Sequence, residues 1–247
     1  MKSKFFRLLS VVGVVFFAMI MVNCENPFQV GLGGGVDLSP PEVDVENIVN
    51  GDYVNGTITL EGTASDDRAV NRVRISFDDG GVPVSLEANI TLDAPNEQWL
   101  WSKDIDTTAY TDGEKDLTIY IYDTAGKVTQ TRLLLYFDNL PPTLLINTPR
   151  VLGNVDPYYG DIVISGSAAD QFGVSRVQVV VEDASGTVLW ETDEDDEIGT
   201  NSWSALFDSV NYIGGSDTVY IGVRAWDRSG NVSEHFYHDQ DIDDEAD

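Results

Sequence analysis

The sequence predicts an all-β chain of two tandem seven-stranded β-sandwiches of about 100 residues each, an ordinary domain size, after a signal peptide and a flexible tether. Three observations carry this. Long segments recur at a shift of 104 residues, apolar residues alternate at period two, and Gly- and Asp-rich turn signals separate the short runs.

The repeat comes first. Thr57-Ile58-Thr59-Leu60-Glu61-Gly62-Thr63-Ala64-Ser65-Asp66 aligns with Asp161-Ile162-Val163-Ile164-Ser165-Gly166-Ser167-Ala168-Ala169-Asp170, and 170 − 66 = 104. At the same shift Val70-Asn71-Arg72-Val73 meets Val174-Ser175-Arg176-Val177, and Asp123-Thr124-Ala125-Gly126-Lys127-Val128 meets Asp227-Arg228-Ser229-Gly230-Asn231-Val232. Trp101-Ser102 meets Trp203-Ser204 within two residues, and the copies open with Pro40-Pro41 and Pro141-Pro142. Solenoid units run to about 20–50 residues, so this is a duplicated domain.

Each copy alternates as strands do. Val73, Ile75 and Phe77 interleave with Arg72, Arg74 and Ser76, and Leu117, Ile119 and Ile121 with Thr118, Tyr120 and Tyr122. Val177, Val179 and Val181, then Val219, Ile221, Val223 and Ala225, repeat the pattern. Asp79-Gly80-Gly81, Asp112-Gly113, Ser185-Gly186 and Gly214-Gly215 are the turn signals. The expected segments are residues 1–23 (signal peptide), 24–39 (lipidated cysteine and Gly-rich tether), 40–138 and 139–238 (the two sandwiches), and 239–247 (acidic tail).

These residues resemble the bacterial Ig-like families, whose repeats carry a Gly-x-Ala-x-Asp segment before strand C and an Asp-x-x-Gly-Asn segment after strand F. The resemblance covers residues 40 to 238 and implies two tandem immunoglobulin-like sandwiches. The Cys-Trp-Cys spacing of antibody domains is missing, and Trp101 and Trp203 fall near strand E, where core filling is their expected role.

The N-terminus reads as an address. A basic stretch, Met1 to Arg7, precedes an apolar run of 15 residues, Leu8 to Val22, broken only by Ser10 and Gly13. That is a secretory pattern and short for a membrane-spanning helix. Met21-Val22-Asn23-Cys24 resembles the bacterial lipoprotein signal, with Asn23 where a small residue is usual. The resemblance implies that the Cys24 thiol is diacylated (palmitate-type chains) and becomes the first mature residue, that the protein is exported, and that the lipid anchors it in the cell envelope. Glu25 favours the outer membrane by the same analogy. An ordinary signal peptide or an uncleaved anchor helix is the alternative. Gly31, Gly33, Gly34 and Gly35 mark the tether.

Charge narrows the partners. The chain has 14 basic and 42 acidic residues, a net charge of −28. Loss of Lys2, Lys4 and Arg7 with the signal leaves 14 − 3 = 11 basic residues and −28 − 3 = −31. Such a surface repels nucleic acid and anionic lipid and tolerates cations. One cysteine permits no intrachain disulfide, so the cores hold by burial.

Two constellations stand out. In a seven-strand sandwich the B–C loop, the F–G turn and the entering chain share one end, which brings Asp138, Asn139, Asp170 and Asp227 together at the domain junction. Cadherin-like modules hold calcium in this layout, and calcium takes six to eight oxygen ligands. Asp104, Asp106 or Asp116 are further donors, although Leu135-Tyr136-Phe137 replaces the Asp-x-Asn that precedes the cadherin ligand pair. The alternative is that these aspartates cap their own turns.

The second constellation is a face. With Val73 and Ile119 inward, Arg72, Arg74, Tyr120 and Tyr122 share the outer surface of strands C, F and G, and Arg176, Tyr220, Arg224 and Trp226 repeat it. Arg and aromatic residues are enriched at binding hot spots. Cross-strand stacking that only stabilises the sheet is the alternative.

No catalytic constellation is visible. His235 and His238, the only histidines, lie three apart in a strand and face opposite sides. The glycines of 31–35 open no phosphate-binding helix, the acidic runs Glu191–Glu197 and Asp239–Asp247 read as solvated, and Asn55, Asn89 and Asn231 begin chance glycosylation sequons. The expectation is a non-enzymatic, envelope-anchored binding or adhesion module for a protein or glycan ligand. A structural spacer or accessory subunit of an envelope complex is the alternative.

Overall fold

The structure, a computed structural model, describes residues 37, 39–148, 161–192, 201–212 and 217–242, the last group and Tyr212 partly by backbone alone. Cys24, the apolar run, the Gly-rich tether apart from residues 37 and 39, most of the acidic run Glu191–Glu197 and the turn Gly214-Gly215 lie outside these residues. Among the described residues, no helix is long and apolar enough to cross a membrane.

The N-terminal half contains β1 (Glu42–Val45), β2 (Asp52–Val54), β3 (Thr57–Ser65), β4 (Val70–Asp79), β5 (Val82–Glu87), β6 (Asn89–Asp93), β7 (Gln98–Asp106), β8 (Gly113–Asp123) and β9 (Val128–Phe137). Its two sheets have the orders β1-β3-β7-β6 and β2-β9-β8-β4-β5. All pairings are antiparallel except β2 with β9. This is an immunoglobulin-like sandwich, with β3, β4, β7, β8 and β9 in the places of strands B, C, E, F and G.

The expected seven strands are nine here. The first strand breaks at Gly51, whose φ of 98° suits glycine; β1 stays on β3 and β2 crosses to β9. The segment after strand C likewise divides, β5 staying on β4 and β6 crossing to β7. Period two cannot show which sheet a strand joins, so both switches are invisible in the sequence.

The C-terminal half contains β10 (Thr143–Thr148), β11 (Asp161–Ala169), β12 (Val174–Asp183), β13 (Val188–Glu191), β14 (Ser202–Asp208), a one-turn helix α1 (Ser209–Tyr212), β15 (Asp217–Asp227) and β16 (Val232–Ile242). The sheets are β10-β11-β14 and β13-β12-β15-β16. β16 pairs through Ile242 with Asp217, so residues 239–242, read as tail, continue the strand.

Each half has its own core. Leu60, Val73, Ile75, Leu117, Ile119, Ile121, Leu135 and Phe137 fill the first around Trp101, and Ile164, Val179, Val181, Phe207, Val219, Ile221 and Val223 the second around Trp203. Every inward position read from the alternation is buried. Full burial of one such side chain is worth about 1.5–3 kcal/mol.

The motif glycine has a packing reason. Gly62 on β3 faces Trp101 across the strand pair, and a Cβ there would overlap the Asp44 carbonyl oxygen and lie 2.9 Å from Trp101 Cζ2. Gly166 stands in the same relation to Leu145 and Trp203. The backbone approach that seats each tryptophan excludes a side chain. Gly62→Ala and Gly166→Ala are therefore each expected to cost about 1–3 kcal/mol, the scale of overpacking, seen as a lowered midpoint in thermal or urea unfolding.

Candidate functional site

The acidic site forms at the end of each F–G turn. Asp227 closes β15, is 2% exposed, and through Oδ1 accepts from Ser229 Oγ (2.8 Å), Gly230 N (2.7 Å) and Asn231 N (2.9 Å). Asp170 Oδ1 caps the β11–β12 loop, accepting from Phe172 N at 2.7 Å and Gly173 N at 3.1 Å. The turn-capping alternative is thus realised. It uses one oxygen of Asp170, and the same geometry directs carboxylate oxygens of Asp138, Asp170 and Asp227 to within 4.8 Å of one another.

Asp138, 1% exposed, enters from the chain between the halves. Ser229 Oγ also lies 3.2 Å from its Oδ2 and 3.1 Å from its carbonyl oxygen, so the one hydroxyl proton is shared among these oxygens and Asp227 Oδ1. Asn231 Nδ2 donates to the Asp138 carbonyl oxygen (2.8 Å) and to Asp227 Oδ2 (2.8 Å). Burial, reinforced by the negative charges of Asp170 and Asp227, pushes the Asp138 carboxyl up to about 6 against the Ser229 hydrogen bond.

Not every expected ligand joins. Asn139 turns back to the first sandwich, where its Oδ1 accepts from Gly56 N (2.9 Å) and Thr107 Oγ1 (2.8 Å) and its Nδ2 donates to Asp112 Oδ1 (2.8 Å). With its polar atoms engaged there, it is not part of the acidic cluster. Asp104 accepts from Thr59 Oγ1, Asp106 caps the turn at Thr107–Ala109, and Asp116 pairs with Arg132 at 3.5 Å on the surface. Asp112, read only as a turn residue, is the remaining carboxylate whose charge reaches Asp138.

A second cluster escaped the sequence reading. Carboxylate oxygens of Asp37, Asp66 and Asp123 also lie within 4.8 Å of one another. Asp66 and Asp123 are the repeat partners of Asp170 and Asp227, and Asp37 precedes Pro40 by three residues as Asp138 precedes Pro141. Lys127 stands where Asn231 stands in the other copy, and its Nζ meets Asp37 Oδ1 at 2.6 Å. That hydrogen bond holds the Asp37 carboxyl below the usual range.

The halves also touch through rings. Tyr53 stacks on Tyr136 (4.8 Å between centroids), Phe172 packs on both at 5.7 and 5.5 Å, and Arg228 Nη1 donates to Tyr53 Oη at 3.1 Å. Asn55 Nδ2 donates to Asn231 Oδ1 at 2.7 Å, so two of the three sequon asparagines serve this junction.

On the outer C–F–G face the expected residues meet. Arg72 pairs across strands with Tyr122, Arg74 with Tyr120, and Arg176 with Trp226. The Arg72 guanidinium lies 4.2 Å from the Tyr122 centroid, Arg74 5.0 Å from Tyr120, and Arg176 4.8 Å from Trp226. Arg74 Nη2 also donates to Tyr122 Oη at 2.7 Å. Arg224 departs from this scheme: it is opposite Gln178, and its Nε binds Glu234 Oε1 at 2.6 Å, while Tyr220 is opposite Glu182. His235 is on β16 opposite Val223.

With this geometry in hand, residues 41–119 match the bacterial Ig domain family, a stretch reaching from just before β1 into β8. Among solved structures, the chain is similar to the fibronectin(III)-like modules of Clostridium thermocellum CbhA, at 17% identity and a TM-score of 0.40, over 79% of this chain and 91% of that one. It is also similar to a 1.5-MDa bacterial ice-binding adhesin, at 18% identity and a TM-score of 0.37, over 85% of this chain and 67% of that one. No curated protein matches it.

The Asp138 carboxyl has a testable signature. Its folded pKa exceeds the usual 3.8, so in chelator the stability it contributes is complete below about pH 4 and is lost as pH rises through about 6. Asp138→Asn is expected to flatten this part of the profile and to unfold at a higher temperature than wild type at neutral pH in chelator.

Proposed function

We propose that this chain is a lipid-anchored, non-enzymatic module of the bacterial cell envelope, held through Cys24 and presenting its C–F–G faces to a protein or glycan ligand. The observation that carries the reading is the Arg–aromatic surface in both sandwiches. Four of the eleven basic residues beyond the signal, Arg72, Arg74, Arg176 and Arg224, lie on it in a chain of net charge −28. Three of them are stacked on rings, an arrangement that presents rigid side chains with little left to order on binding. Two acyl chains at Cys24 would hold the protein stably on the membrane.

The spacer alternative has its own support, because the junction binds the halves by hydrogen bonds and ring contacts rather than by a bare linker. In this reading Asp138, Asp170 and Asp227 take a calcium ion between the sandwiches, with backbone and water oxygens completing the shell.

Two experiments decide. Protease treatment of intact cells is expected to digest wild type, and Cys24→Ser is expected to leave the membrane fraction; full protection until the envelope is broken favours the spacer. Tyr120→Ser with Trp226→Ser is expected to abolish adherence to a panel of glycans and envelope proteins with little change in melting temperature. Unchanged adherence removes the face as a ligand surface.

A further inference from the structure

Among the described residues of the first sandwich, three of the four buried side-chain polar atoms without a hydrogen-bond partner gather where residues 37 and 39 meet the β8–β9 turn; the fourth is Arg74 Nε. Asp123 is 1% exposed; its Oδ1 accepts from Lys127 N at 2.8 Å, and its Oδ2 is buried without a hydrogen-bond partner. Asp66 Oδ2 and Asp37 Oδ2 are buried and unpartnered as well. All three carboxylates belong to the cluster whose oxygens approach within 4.8 Å. Leaving such groups unsatisfied costs more than a hydrogen bond returns, and for an ionised carboxylate the cost is larger still.

Lys127 does not answer this demand. Its Nζ touches Asp37 Oδ1 at 2.6 Å and the Ser39 carbonyl oxygen at 3.3 Å, and only its backbone N–H, not its ammonium, reaches the Asp123 carboxylate. Three carboxylates and one ammonium leave two negative charges, which a divalent ion neutralises. The donors are all hard oxygens, which suit calcium and do not suit softer metals.

We propose that Asp37, Asp66 and Asp123 form a divalent-cation site of the calcium type that clasps the chain at Asp37 onto the first sandwich, with Lys127 competing for Asp37. This site is separate from the junction cluster and does not rest on the anchoring or adhesion reading. When the ion enters, the Lys127 ammonium moves off Asp37, and the orphaned oxygens become ligands.

Calcium titration of the full chain in detergent, by calorimetry at about 0.15 M salt so that diffuse binding to other acids is screened, tests it. Asp66→Asn keeps the loop cap, since Asn can accept from Arg68 N and Ala69 N as Asp66 Oδ1 does, and removes one charge. It is expected to weaken one binding event on the order of tenfold, because ligand charge tunes oxygen-site affinity. Lys127→Met is expected to tighten the same event. Asp170→Asn is expected to leave that event unchanged, so failure at the junction is separately visible. If calcium binding is the same in wild type, Asp66→Asn and Lys127→Met, the proposal is overturned.

Discussion

The buried carboxylate at the end of strand F constrains everything around it. Asp227 cannot sit 2% exposed without donors, and the β15–β16 turn folds so that Ser229, Gly230 and Asn231 supply them. Gly230 adopts φ 93° to allow it. Once the turn is closed, the Asn231 amide has donors left to meet the Asp138 carbonyl oxygen, and the chain between the sandwiches is fixed to the second one. The ring contacts of Tyr53, Tyr136 and Phe172 then pack beside a junction that hydrogen bonds have already aligned.

The same device is built twice and charged differently. At the first sandwich Lys127 brings a cation to the cluster, and Asp37 is held ionised. At the junction the corresponding residue is Asn231, a neutral donor, and Asp138 instead gives up part of its charge. The neutral Asn231 amide holds several partners at once: it donates to the Asp138 carbonyl oxygen and to Asp227 Oδ2 and accepts from Asn55 Nδ2. Lys127 instead carries a full charge and reaches Asp37 and the Ser39 carbonyl oxygen.

Much of this was legible in the sequence, for physical reasons. Strand alternation survives because one face of each sheet is buried and a one-residue slip would invert it, so Val73, Ile119, Val179 and Val223 all fall inward. The convergence of Asp138, Asp170 and Asp227 followed from topology alone. Asn139 did not, because its side chain is claimed by Gly56, Thr107 and Asp112, contacts that depend on how the first sandwich ends. No periodicity marks Asp37, yet its place three residues ahead of Pro40 matches that of Asp138 ahead of Pro141. The exchange of Lys127 for Asn231 was present in the alignment as well, but its meaning required knowing that both point at a carboxylate.

The Asp227–Asn231–Asp138 network makes one unit of the two sandwiches. NMR relaxation of backbone amides, read separately for residues 40–137 and 143–235, tests it most directly. One common correlation time is expected in wild type and two shorter ones in Asn231→Ala, whose sandwiches remain folded. Two independent correlation times in wild type would contradict it.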